Sequence, residues 1–75
     1  MATDWYERRS ELRPGQVFRM HDGSVVQLDR SVPGDATAWY VADWWNGSWS
    51  YEDSKIEPGD LSERLPDNFA GTQAA

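Results

Sequence analysis

The stretch WYVADWWNGSWSY, residues 39–51, decides how this chain folds. It holds four of the five tryptophans and two of the three tyrosines, with Asn46-Gly47 near its centre. A two-residue type I′ turn needs positive φ at both central positions, which Asn and Gly accept more readily than other residues. That turn pairs Trp45 with Ser48, Trp44 with Trp49, Asp43 with Ser50 and Ala42 with Tyr51. Side chains alternate along a strand, so Tyr40, Ala42, Trp44, Trp49 and Tyr51 share one face. Val41, Asp43, Trp45, Ser48, Ser50 and Glu52 share the other, and a four-residue loop would leave the same parity. The aromatic face is expected to supply most of the core of a domain that has few other large apolar residues.

Working outward, the hairpin is one of several regularly spaced turns. Pro14-Gly15, Asp22-Gly23, Pro33-Gly34, Asn46-Gly47 and Pro58-Gly59 follow one another at intervals of 8, 11, 13 and 12 residues. Between them lie β-rich runs at 16–20, 24–30, 37–45 and 48–52, the signature of a small all-β sandwich or barrel. In the first hairpin, Phe18 and Met20 share a face, as do Val26 and Leu28. A two-residue Asp22-Gly23 loop would set these pairs on opposite faces. A three-residue loop, His21-Asp22-Gly23 with Gly23 left-handed, pairs Phe18 with Val26 and leaves Arg19, Val25 and Gln27 facing out. The connection 31–36 is long enough for a mobile loop.

The flanks are weaker. Residues 3–12 predict a short helix, with a cap at Thr3 or Asp4, a stop at Pro14, and Trp5 and Leu12 on one face. Arg8 and Arg9 would then point to solvent. After Tyr51, Asp60-Leu61-Ser62-Glu63 predicts a single helical or 3-10 turn and Arg64-Leu65 a last short strand. The small and polar tail, 67–75, is expected to be disordered apart from Phe69. The expected organisation is therefore an N-terminal segment 1–13, a β domain 14–66 and a tail 67–75.

Seventy-five residues without cysteine make one domain near the lower limit for an unstapled core. No apolar run approaches the roughly 20 residues of a membrane span, and no signal-peptide core precedes the first strand. The expectation is a soluble, cytoplasmic chain, in which Asn46-Gly47-Ser48 serves as a turn and not as a glycosylation site. The net charge is −6. Residues 1–20 carry four arginines against three acids, whereas residues 43–75 carry seven acids against Lys55 and Arg64. Such a chain disfavours nonspecific nucleic-acid binding, which needs cations to displace phosphate counterions.

The turn and strand pattern over residues 14–66 resembles small SH3-like or KOW-like barrel modules. The residues that carry the resemblance are Pro14-Gly15, Asp22-Gly23, Trp39-Tyr40-Val41, Tyr51-Glu52-Asp53 and Ile56-Glu57-Pro58-Gly59-Asp60-Leu61. It implies a small barrel of four to five antiparallel strands and, through the KOW-like likeness, nucleic-acid contact. The Arg, Asp and Trp usage also resembles that of small proteins encoded by bacteriophages of high-GC bacteria, which would place the chain in a host cytoplasm.

Catalysis has little to draw on. His21 is the one histidine, in a turn beside Asp22, and no metal-ligand spacing, cofactor motif or phosphate loop is present. Asp43, Glu52 and Asp53 could approach one another, but exposed strand acids are usually only solvated. The expectation is a non-enzymatic module with no cofactor and no metal. Trp39 and Trp45 face away from the aromatic core face, and one thin barrel cannot bury both faces of one hairpin. They, with Asp43, Glu52 and Asp53, are the expected protein-binding surface, for a host protein or a second copy. The alternative is a nucleic-acid interface at Arg8, Arg9, Arg13 and Arg19.

Overall fold

The structure is a computed structural model that describes residues 4–66 together with Phe69. Thr3, the rest of the expected tail and the side chain of Asp53 lie outside the described residues. Five strands form one antiparallel sheet: β1 (Val17–Met20), β2 (Val25–Ser31), β3 (Trp39–Trp45), β4 (Ser48–Ile56) and β5 (Leu61–Leu65). Their spatial order is β4-β3-β2-β1-β5. The all-β expectation is borne out, with antiparallel strands and a 3-10 turn before the last one.

Register follows from turn chemistry. Asn46 and Gly47 have φ of 51° and 81°, and they close the hairpin with Trp44 opposite Trp49. In the first hairpin Gly23 is left-handed at φ 92°, the Met20 N–H donates to Ser24 O at 2.7 Å, and Phe18 pairs with Val26. That is the three-residue loop the burial argument requires. One pairing differs from expectation. Val41 lies opposite Ser54 and Asp43 opposite Ser50, so three residues of β4, 51–53, stand against Ala42 alone. Ala42 therefore does not register with Tyr51, and β4 runs on to Ile56.

The interior draws on every strand. Phe18, Val26, Leu28, Val41, Ile56 and Leu61 meet Trp5 and Leu12 in one buried cluster, with Met20 and Trp39 packed on it. The sheet thus curls around one face. Val17 and Ala42 lie on the other face, in one row through Gln27, and are also fully buried. Beside them Trp44 and Trp49 meet edge to face at 5.0 Å, and Phe69 stands on Trp44 at 5.4 Å. The expected core face is thereby corrected: Tyr40, Trp44 and Trp49 are half-buried on the outside of the sheet, and Tyr51 is exposed. Phe18, Val26 and Leu28 fix which face of β2 points inward, and pairing with β3 then selects Val41 and Trp39. Ring size does not override that choice.

The N-terminal segment is a correction of a different kind. It forms turns and one 3-10 helix at Arg9–Glu11 in place of a longer helix. Asp4 Oδ1 accepts the Tyr6 N–H at 3.0 Å and opens the turn. Trp5 and Leu12 still reach the core, and Trp5 packs edge to face on Phe18 at 4.8 Å. Two anchors so near Pro14 leave too little length to propagate an α-helix. Arg8 and Arg9 are exposed, as expected. The 3-10 turn before β5 also sits earlier than expected, at Pro58–Asp60, so Leu61–Leu65 is all strand. Proline at its start and Asp60 Oδ2, which accepts the Glu57 N–H at 3.0 Å, set that position.

Two loops are tied by carboxylates. Asp22 accepts the Ser24 N–H at 2.9 Å, and Asp35 accepts those of Thr37 at 3.1 Å and Ala38 at 3.2 Å. The Ser24 N–H chiefly holds the Asp22 carboxyl below its ordinary value, and the Thr37 and Ala38 N–H groups do the same for Asp35. Because the folded-state values are lowered, these bonds act fully above the ordinary carboxylate pKa of about 3.9. Their contribution is lost as pH falls through the folded values. The urea midpoint is expected to drop on acidification below about pH 4, and to drop less in Asp35→Ala. An equal drop in both proteins would remove Asp35 from the account.

The Trp5 indole N–H is buried with no partner among the described residues. Trp5→Ala is expected to lose about 3–5 kcal/mol, as large-to-small core changes do. Trp5→Phe should lose much less, since it keeps a ring against Phe18 and removes an unsatisfied donor worth about 1–3 kcal/mol. Urea unfolding of both variants checks this, and a loss below about 1 kcal/mol for Trp5→Ala would show that the segment is not part of the core.

Candidate functional site

Successive antiparallel strands bring the β1–β2 and β3–β4 turns to the same end of the sheet. Between them lies a groove of about 490 Å³. Gly23, Ser24 and Val25 form one wall, Asp43, Trp44 and Trp45 of β3 the floor, and Ser50 and Glu52 of β4 the other side. Trp45 is the residue beside the tight turn and is 72% exposed, more than any other large hydrophobic among the described residues. Its neighbour Trp44 turns to the opposite face, where Trp49 and Phe69 cover it.

Among the described residues, the two carboxylates here are held by hydroxyls. The Ser54 hydroxyl donates to Asp43 Oδ2 at 3.1 Å, and the Ser50 hydroxyl to Glu52 Oε2 at 3.1 Å. Among the described residues, the ion pairs are Arg8–Glu11, Arg19–Glu63 and Arg30–Asp29, so neither Asp43 nor Glu52 faces a cation. The bulge at 51–53 places Ser50 and Ser54 on the face of Asp43, which is why one hydroxyl reaches across to it.

Of the expected protein-binding residues, the structure therefore gathers Trp45, Asp43 and Glu52. Trp39 stands apart, half-buried and packed on the core at the opposite end of β3. Asp53 lies in β4, with its side chain outside the described residues. Sequence reasoning missed Val25 and the Gly23-Ser24 corner. The signal was present, because two hairpins in one antiparallel meander must place their tips side by side.

The arginines of the alternative site are each engaged locally. Arg8 makes a forked pair with Glu11 at 2.9 and 2.7 Å and stacks on Trp5 at 4.4 Å. That pairing raises the Arg8 guanidinium pKa further and holds the Glu11 carboxyl low. Arg9 lies over the Tyr6 ring at 4.4 Å. Arg13 donates to the carbonyls of Ser10 and Leu12 at 2.7 and 2.8 Å. Arg19 pairs with Glu63 across β1 and β5.

A second hollow, of about 150 Å³, is lined by Asp35, Ala38, Lys55, Ile56, Glu57 and Asp60. Its acids are occupied with the loop: the Thr37 hydroxyl donates to Glu57 Oε1 at 2.8 Å, and Asp35 and Asp60 hold backbone N–H groups. No group of three or more metal-ligating side chains occurs among the described residues. Comparison with protein-family models, curated proteins and solved structures yields no match to this chain.

The contrast between Trp39 and Trp45 gives a direct test. Trp39→Ser is expected to destabilise by about 2–4 kcal/mol, as truncation at the core margin does. Trp45→Ser should stay within about 0.5 kcal/mol of the parent, as exposed positions do. Parallel urea unfolding curves decide it, and equal losses would mean that Trp45 is structural.

Proposed function

We propose that this chain is a non-enzymatic protein-interaction module of the small SH3-like kind. It docks a protein partner in the groove formed by Trp45, Asp43 and Glu52. The observation that carries this reading is the exposure of Trp45 at the rim of a formed groove. Leaving apolar surface in water forgoes about 25 cal/mol per Å², and Trp is enriched among the residues that dominate binding energy. Trp44 is covered by Phe69, whereas Trp45 has no cover among the described residues.

Nucleic-acid contact is the weaker reading. The net charge is −6, and Arg8 and Arg19 already face carboxylates. The likeness in composition to phage proteins makes a host protein the first partner to seek.

Immobilised wild-type chain should retain a specific protein from a high-GC bacterial lysate, and Trp45→Ser should lose it while remaining folded by circular dichroism. In the same buffer, duplex DNA at physiological salt should give no measurable complex. Equal capture by Trp45→Ser would move the docking surface elsewhere. A salt-sensitive DNA complex would return the function to Arg8, Arg9, Arg13 and Arg19.

A further inference from the structure

We infer that the groove takes an arginine side chain presented by the protein partner, with the guanidinium stacked on Trp45 between the carboxylates of Asp43 and Glu52. This rests on the docking reading above and adds the chemistry of the partner. Three observations converge on it. Trp45 offers an open ring face, and a cation within about 6 Å of such a face is attracted by the ring quadrupole. The same chain already stacks arginines on rings at 4.3–4.4 Å in Arg8–Trp5, Arg9–Tyr6 and Arg30–Tyr40. Finally, Asp43 and Glu52 border the groove and face no cation among the described residues, whereas Glu11, Asp29 and Glu63 each hold an arginine.

The hydroxyl bonds leave room for this. Ser54 and Ser50 each occupy one carboxylate oxygen, so Asp43 Oδ1 and Glu52 Oε1 remain to accept. A guanidinium presents several N–H donors in a fixed plane. It can bond both carboxylates at its edge while its face rests on the indole, which a compact ammonium cannot do. The exposed Trp45 ring also gives the three methylenes of arginine an apolar surface to lie along.

A second copy of this chain fits less well. A two-fold contact through this surface would bring four uncompensated carboxylates together. A head-to-tail contact would have to draw on an arginine already engaged within the chain: Arg8 and Arg19 hold Glu11 and Glu63, Arg9 stacks on Tyr6, and Arg13 donates to the carbonyls of Ser10 and Leu12.

The test uses three capped tripeptides, Gly-Arg-Gly, Gly-Lys-Gly and Gly-citrulline-Gly, titrated into the ¹⁵N-labelled full chain up to roughly 100 mM, a ceiling that still reveals a binding energy of about 1.4 kcal/mol. Citrulline keeps the shape and removes the charge. The Trp45 indole N–H, assigned by its loss in Trp45→Phe, and the amides of Asp43, Ser50 and Glu52 should shift with saturation on adding the arginine peptide. Binding should weaken by about ten-fold or more with citrulline, and likewise in the double variant Asp43→Asn, Glu52→Gln. Lysine should fall between. Raising the salt to about 1 M, where the screening length is near 3 Å, should weaken the arginine shifts.

Equal shifts with citrulline and arginine, or no groove shift at all, would overturn the inference. So would arginine shifts that survive the double variant. If the groove ignores arginine while Trp45→Ser still abolishes partner capture, the cation falls and the docking surface stands. If Trp45→Ser captures as well as the parent, the docking reading falls too. Self-association that Trp45→Ser relieves, seen by light scattering, would replace the arginine by a second copy.

Discussion

The structure depends on one choice, which face of the sheet points inward. Phe18, Val26, Leu28 and Val41 are almost entirely removed from water, and no disulfide supplements them in a chain without cysteine. Once Phe18 and Val26 are paired, the parity of every neighbouring strand is set. Val41 follows through Leu28, Ile56 follows through Trp39, and the 3-10 turn at Pro58–Asp60 delivers Leu61 to Met20. Trp5, from the segment before β1, then packs on Phe18 within the core and adds an aromatic plug. Remove this parity and neither the core nor the exposed tip of the second hairpin has a reason to exist.

From that choice comes the division of labour among the tryptophans. Trp5 belongs to the core and Trp39 to its margin, while Trp44 and Trp49 form a covered cluster on the outer face and Trp45 stands free. The groove is thus a by-product of alternation at the end of β3. Trp44 and Trp45 are adjacent, so one must face away from the other. Phe69 caps the outward member of the pair. The inward member lies beyond the end of the core, beside acids that face no cation among the described residues.

Much of this was legible beforehand. Asn46-Gly47 announced the turn and the Trp44–Trp49 pair, and the Phe18 and Val26 register followed from burial alone. The inward face of the second hairpin was not legible from ring size. Four aromatics on one side suggested a core, yet the interior of so small a sheet is filled by Val, Leu and a single Phe. The 51–53 bulge carries no local sequence signal, because Tyr51-Glu52-Asp53 reads as ordinary strand. The N-terminal anchors were visible as Trp5 and Leu12, but their spacing suited several backbone paths. At the site, Trp45, Asp43 and Glu52 were found by parity, Trp39 shared their face but not their end of it, and the Val25 wall emerged only from placing two turns together.

The bulge opposite Ala42 has a consequence for how the hairpin tolerates changes in length. Three residues stand against one there, an excess of two, and an even excess leaves Ser50 and Ser54 on the same face. Loss of two residues from 51–53 would restore a regular ladder with every side chain of the tip on its present side. Loss of a single residue would leave an excess of one, the kind of bulge that β2 already absorbs between Leu28 and Arg30 while Tyr40 and Trp39 keep their faces. Changes of length in 51–53 are therefore expected to be taken up by the bulge, while the Asn46-Gly47 turn keeps Trp44 opposite Trp49.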